Sequence, residues 1–502
     1  MTMAVAGGHN ERASDRWAGR EGRLVALLVS VPLLLHSWLA IHIPLAEDEA
    51  YYRLWALGPA LSYFDHPPMV AWMMAAGRWM IGDTALGLRF AGLLATALST
   101  VALWRTANLL IGKRQAITAT AFAVVMPLLA VGAIVMTPDT PSVLFTVSGA
   151  WALAELNASR NPNWWLAVGA FAGLGLLSKY TNFFFGIAIV VWLVSCKQNW
   201  HWFKAWQLYA GGAIALALFT PVIMWNIAHD GASFAKQFGR VANVNPFRIV
   251  WQLELWGALL LLAGPILFWL AARGLSQTVQ HFRAAGEPAA GLLLALTMPL
   301  LIYFCLHALH GRVLPNWLAP AYPFFALLAA SGAASIADAQ KRQRAVLSAA
   351  ISSAALSLLI YTHAAVPLYV DAKAKEPTHQ LRGWEEFASE VSATAKTAGA
   401  AYIATTSYGT TGQLAFHLDQ QWPVLQLNDR IRYEHLPAPD SRLFDRTGIV
   451  VELARRDPKA KLAVRFKDVK PLPELARKHR GIPLQTYVVY QVSNPRANPL
   501  SP

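Results

Sequence analysis

Charge and cysteine are both scarce in this chain. Only 14% of its 502 residues are charged, where a soluble protein of that length carries about a quarter, which excludes an ordinary cytosolic enzyme. The acidic side is the thinner one, with 28 Asp and Glu against 42 Lys and Arg and a formal net charge of +14. The two cysteines, Cys196 and Cys305, lie far apart in or beside apolar runs, which excludes a disulfide framework and a cysteine-based metal site. There is no Walker A motif and no dinucleotide-binding glycine fingerprint, which argues against a bound nucleotide as fuel. Internal repeats and long low-complexity segments are missing too. What the chain has instead is apolar surface: 55% of the residues are hydrophobic and 20 are Trp.

The apolar residues fall into runs. Arg12, Arg16, Arg20 and Arg23 precede a stretch from Leu24 to Ala46. Its length matches the ~20 residues that span a bilayer and exceeds the apolar core of a cleavable signal peptide. We read it as a first transmembrane helix, with residues 1–23 as a cytoplasmic arm. Further runs at 86–111, 115–135, 140–156, 163–179, 181–196, 205–227, 249–272, 288–309, 314–337 and 345–368 bring the expectation to about eleven spans. Pro67–Ile81 is shorter and carries Arg78, which suits a helix lying along the interface. The inside loops then receive Lys113, Arg114, Arg160, Lys197, Lys204, Arg273, Arg283, Lys341, Arg342 and Arg344, as the positive-inside rule requires. Had Pro67–Ile81 crossed, Lys113/Arg114 and Lys341/Arg342 would fall outside. Most of the excess charge therefore orients the chain, and no nucleic acid partner is needed to explain it.

The expected organisation is a polytopic α-helical membrane domain over 24–370, with a long first outer loop at 47–85, followed by a small soluble α/β domain. In the segment 371–493 a helical pattern (Leu381, Trp384, Phe387, Val391) alternates with short β-like runs, Ala401–Thr405, Gly448–Leu453 and Gln485–Val492. An odd number of spans places this domain outside, in the periplasm if the membrane is a Gram-negative inner membrane. Residues 494–502 look like a disordered tail.

Unusual polar residues gather on the outer face. The first loop opens Glu47-Asp48-Glu49, and adjacent carboxylates require a raised pKa, a basic partner or a bound cation. Such a cluster can hold a general base, or it can simply begin a helix whose dipole favours acidic residues. Asp139, between Pro138 and Thr140-Pro141, is either an N-cap or a group that approaches Asp48. Lys179 sits in a turn between two short spans, where a lysine either snorkels to the interface or meets a lipid phosphate. Outer loops are normally poor in Lys and Arg, so Lys179, Lys236, Arg240 and Arg312 beside acidic residues resemble an anion site. His66, His229, His307 and His310, with Asp65 and Glu47–Glu49, offer donors for a divalent cation, but no HExxH or similarly spaced set occurs and no cofactor is required.

Taken together, Asp48-Glu49-Ala50-Tyr51-Tyr52, Tyr63-Phe64-Asp65-His66-Pro67-Pro68, Thr137-Pro138-Asp139, Ser178-Lys179-Tyr180, Trp225-Asn226 and Asn316-Trp317 resemble bacterial members of the polyprenyl-phosphate-sugar-dependent glycosyltransferases. This is the PMT-like part of the GT-C fold group, which includes protein O-mannosyltransferases and lipid A aminoarabinose transferases. The resemblance implies an inverting transfer of a sugar from a polyprenyl-phosphate carrier in the lipid bilayer to an acceptor hydroxyl of an envelope lipid or glycan, at the periplasmic face of the inner membrane. It implies Asp48 as general base, with Glu49 and Asp139 orienting it or the acceptor. Lys179, Arg240 and Arg312 would meet the lipid phosphate, and Tyr52, Asp65, His66, Asn226, Asn316 and Trp317 would contact substrate. The chain has no room for the large β-trefoil insertion of eukaryotic protein O-mannosyltransferases. The rival is a lipid or sugar transporter or flippase without transferase chemistry, which would place titratable groups or broken helices near the bilayer midplane.

Overall fold

A computed structural model of the chain describes residues 6–242, 245–370, 376–418 and 421–500, with side chains described from Gly19 onward and not for 240–242. The chain forms two compact units. One comprises Met1–Trp38, Gly92–Ile134 and Pro138–Ile360; the other joins Leu39–Ala91 and Val135–Thr137 to Tyr361–Pro502. The long first loop therefore packs with the C-terminal domain, although its place in the sequence groups it with 24–370.

Every apolar run expected to span is helical, yet fewer are single helices long and apolar enough to cross. Among the described residues, six helices are long and apolar enough: Gly19–His42, Ala85–Ile111, Trp206–Ala228, Pro288–His307, Pro315–Ala334 and Ala339–Ala365. Two bent pairs raise the number to 8 if each counts as one span. The shortfall from about eleven has physical causes. The run 115–135 breaks into Lys113–Val125 and Pro127–Gly132, because Pro127 pushes Met126 to extended backbone (φ −68°, ψ 121°) and donates no N–H. At Gly264–Pro265 the run 249–272 turns through 102°, which the left-handed Gly264 (φ 92°) permits. Trp164–Leu176 has 13 residues, ~20 Å of helix against the ~30 Å of a hydrocarbon core. Met69–Ile81, also 13 residues, is likewise too short to cross.

Within the first unit, helices close on small residues. A Cβ on Gly169 would run into the backbone of Gly211, so Trp164–Leu176 and Trp206–Ala228 touch backbone to backbone. In lipid, where apolar burial gives no net drive, such close packing is what holds helices together. Leu153, Trp192, Phe324 and Leu327 are completely buried at the centre of this unit.

The second unit is built on a five-stranded sheet. Its strands are β1 (Tyr402–Thr405), β2 (Val424–Gln426), β3 (Gly448–Leu453), β4 (Phe466–His479) and β5 (Ile482–Pro495), in the order β2-β1-β3-β5-β4. β1 is parallel to β2 and β3, while β5 runs antiparallel to β3 and β4. β1 and β3 are buried on both faces, hence their continuous apolar runs. β4 was not legible because it is an edge strand carrying Lys467, Asp468, Lys470 and two prolines, Pro471 and Pro473, which an edge tolerates. The helix Trp384–Thr397 lays Trp384, Phe387 and Val391 on the sheet. β5 continues to Pro495, past the point where a disordered tail was expected.

Candidate active site

In the second unit, Glu47-Asp48-Glu49 forms the first turn of the helix Glu47–Leu57. The three carboxylates meet three different environments. Glu49 is completely buried and saturated. Its Oε1 accepts from Arg89 Nε at 2.7 Å and from the Met136 N–H at 2.9 Å, and its Oε2 accepts from Arg89 Nη2 at 2.6 Å and the Ala46 N–H at 3.0 Å. Arg89 spends its remaining donors on the carbonyls of Ala40, Ile43 and Pro44. An acid so enclosed has no lone pair left for substrate. Glu49 is thus a clasp for the helix start, which suits the supporting role the resemblance implies and leaves it no direct contact with an acceptor.

Glu47 is held differently. Burial pushes its carboxyl up from the usual 4.5, the neighbouring Asp48 adds to the rise, and Arg477, Arg455 and Arg456 oppose it. Asp48 alone is exposed, with the hydroxyl of Tyr408 hydrogen-bonded to it. The sequence demanded a raised pKa, a basic partner or a cation for this triplet, and it receives the first at Glu47 and the second at Glu49.

The other substrate residues expected in this unit are engaged by protein. Asp65 is 9% exposed; it accepts from Tyr51 Oη at 2.7 Å and forms an ion pair with Arg432. Tyr52 is buried against Trp55, at 4.8 Å between ring centroids, and His66 lies edge-on to Tyr52 at 6.2 Å.

In the first unit, Asp139 opens the helix Asp139–Ser159. Lys179 Nζ approaches its Oδ1 at 2.5 Å and Asn316 Nδ2 donates to its Oδ2 at 2.9 Å. The turn carrying Lys179 is pinned to that helix by Asn182, which is hydrogen-bonded to Ser142 and donates to Thr146 at 2.9 Å. Three expected residues, Asp139, Lys179 and Asn316, therefore come together. Trp317 packs instead at a tilt against Phe304 and His307. Asn226 is buried and caps the turn into the next helix, accepting from Phe234 N at 3.1 Å. Arg312 pairs with Glu254 at 2.7 Å on an exposed surface, and the side chain of Arg240 lies outside the described residues. Among the described residues no three His, Cys, Asp or Glu gather as a metal site.

Sequence reasoning missed Arg89, Tyr408 and Arg432. Arg89 had a signal: a lone arginine in an apolar run needs a buried partner. The other two had none, since they reach the first loop from more than three hundred positions along the chain.

Residues 65–225 match the family model described as dolichyl-phosphate-mannose-protein mannosyltransferase. Over nearly its whole length the chain also superposes on a solved protein, ArnT from Cupriavidus metallidurans bound to undecaprenyl phosphate, with a TM-score of 0.64 and 15% identity, covering 95% of this chain and 99% of that one. The chain has the GT-C fold. The apo form of the same ArnT gives a TM-score of 0.63 at 16% identity, covering 95% of this chain and 98% of that one. Lipid A galacturonosyltransferase RgtD of Rhizobium johnstonii (strain DSM 114642 / LMG 32736 / 3841) is 25% identical over 287 residues, 56% of this chain. The chain spans 59% of the length of that curated relative. The GT-C likeness read from the motifs thus holds in the family match, the relative and the fold, and the family match covers Asp65, His66, Asp139 and Lys179.

Proposed function

We propose that this protein is an inverting glycosyltransferase that moves a sugar from a polyprenyl-phosphate carrier to a hydroxyl of a lipid A-like acceptor. The observation that carries the reading is the exposure of Asp48. Of three adjacent carboxylates it is the exposed one, and a helix N-terminus together with a saturated Glu49 clasp fixes it in place. The acceptor hydroxyl loses its proton to Asp48 as its oxygen forms a bond to the anomeric carbon, and the bond from that carbon to the phosphate oxygen breaks, releasing polyprenyl phosphate. Lys179, with N–H groups beyond the one given to Asp139, is the cation we assign to the negative charge growing on the departing phosphate. Asp139 and Asn316 hold that lysine in place. The reaction so drawn needs no cofactor. We place it at the periplasmic face of a bacterial inner membrane, with the N-terminus cytoplasmic and the C-terminal domain periplasmic, on the strength of the basic inside loops. Transfer is favoured over transport because the matching family and the curated relative are both named for transfer.

The test is reconstitution. Purified protein in proteoliposomes receives lipid A and undecaprenyl phosphate carrying galacturonic acid or aminoarabinose. Mass spectrometry is expected to show lipid A gaining one sugar with release of undecaprenyl phosphate. Movement of an intact donor across the bilayer without a new glycosidic bond would refute the assignment.

A further inference from the structure

In a sheet ordered β2-β1-β3, the chain leaves β1 towards one neighbour and later arrives at the other, and the crevice at the carboxyl ends of β1 and β3 is where such sheets hold ligands. In this protein the acidic start of the first-loop helix sits there. The helix Tyr408–His417, which follows β1, lies against Glu47–Leu57 so closely that a Cβ on Gly409 would stand 2.7 Å from Glu47 Oε2. One on Gly412 would stand 2.7 Å from the Ala50 carbonyl carbon. Gln413 Nε2 donates to the Leu45 carbonyl at 2.8 Å and fixes the register of the two helices. At the near end of this contact Tyr408 packs its ring on Tyr51, 4.9 Å between centroids, under the guanidinium of Arg432, and its hydroxyl reaches Asp48.

From this geometry we infer that Tyr408 is a positioning residue for the Asp48 carboxylate, brought there by the close glycine contact, so that the C-terminal domain completes the base of the transferase. The inference rests on the reading of Asp48 as general base. A phenol donating to a carboxylate fixes its orientation and favours its ionised form, the form that accepts a proton. The other charged or titratable groups facing this spot are Glu47 and Tyr52 on the same helix, Asp65 in the loop, Arg432, and, around Glu47, Arg455, Arg456 and Arg477. Tyr408→Phe leaves all of them in place and keeps the ring packing.

The experiment compares wild type, Asp48→Asn, Tyr408→Phe and Gly412→Ala in the proteoliposome assay across pH, with thermal unfolding measured in parallel. Tyr408→Phe is expected to lower kcat about tenfold, since one hydrogen bond to a charged, partly exposed group is lost, and to move the acid limb of the kcat/KM profile to higher pH. KM and the unfolding temperature should barely change. Gly412→Ala, by spreading the two helices, should move the limb the same way. An unchanged rate and limb in Tyr408→Phe would overturn the inference, as would a loss of rate that tracks a loss of stability with the limb unmoved. Wild-type turnover in Asp48→Asn would instead remove the base assignment, and the inference with it.

Discussion

Each unit holds a carboxylate paired with a cation, and the two pairs are built to opposite ends. Glu49–Arg89 is closed: both side chains are 0% exposed, and the acid receives donors on both oxygens. Asp139–Lys179 is left partly open, at 13% and 8% exposure, with a three-donor ammonium of which one N–H goes to the aspartate. Arginine suits the first role, since its planar fork matches a carboxylate on two edges; lysine suits the second, as a compact charge able to serve two anions at once. The closed pair holds backbone, and the more open one is the pair we propose meets the donor phosphate.

Breaking the closed pair should give the largest effect on stability. Arg89→Met leaves Glu49 buried and charged without its partner, an expected loss of about 3–5 kcal/mol, readable by denaturant or thermal unfolding in detergent. Adding Glu49→Leu should recover only part of it, because the N–H groups of Ala46 and Met136 would then lack an acceptor. Full recovery would mean that the ion pair, and not the loop hydrogen bonds, carries the structure there.

At the open pair the expected signature is functional. Lys179→Ala should raise the KM for the polyprenyl-phosphate donor about tenfold or more, as loss of a charged hydrogen bond predicts, with a smaller fall in stability than Arg89→Met. If stability falls as far and donor KM stays put, the two pairs are alike and the contrast fails.

Smaller effects sharpen the same comparison. Glu47 is held above its usual pKa mainly by burial, so the folded state keeps its proton to higher pH than the unfolded chain. Its contribution to stability is therefore full below about pH 4 and declines as pH rises through the folded value. Glu47→Gln should remove that decline, matching wild type at low pH and melting about a degree or two higher at neutral pH. Arg312→Ala should do least. Its pair with Glu254 is exposed on both sides, a type worth about 0–1 kcal/mol, and a raised donor KM in that variant would restore Arg312 to the phosphate site.

Much of this was written locally in the sequence. Long apolar runs and the Asp48–Glu49 motif are properties of adjacent residues, so the membrane class, the helical segments and the candidate base could be read without coordinates. Breaks at Met126–Pro127 and Gly264–Pro265 were also there to be read, but hydropathy averages over a proline while the backbone does not, so the apolar runs outnumber the unbroken long helices. The environment of Glu49 was not legible for another reason. That residue is indistinguishable from Asp48 by position, and only Arg89, forty residues away, decides which of the two faces the solvent. Asp65 follows the same logic, since its partner Arg432 lies in a domain whose link to the first loop leaves no local pattern.

The central claim is that Asp48 takes the proton of the acceptor hydroxyl. Its most direct test is single-turnover transfer by Asp48→Asn in proteoliposomes loaded with lipid A and the donor that supports wild-type turnover, followed by mass spectrometry of the lipid product. Loss of a general base predicts a rate lower by about 10²–10⁴-fold, with donor binding and unfolding temperature unchanged. Transfer at the wild-type rate would contradict it.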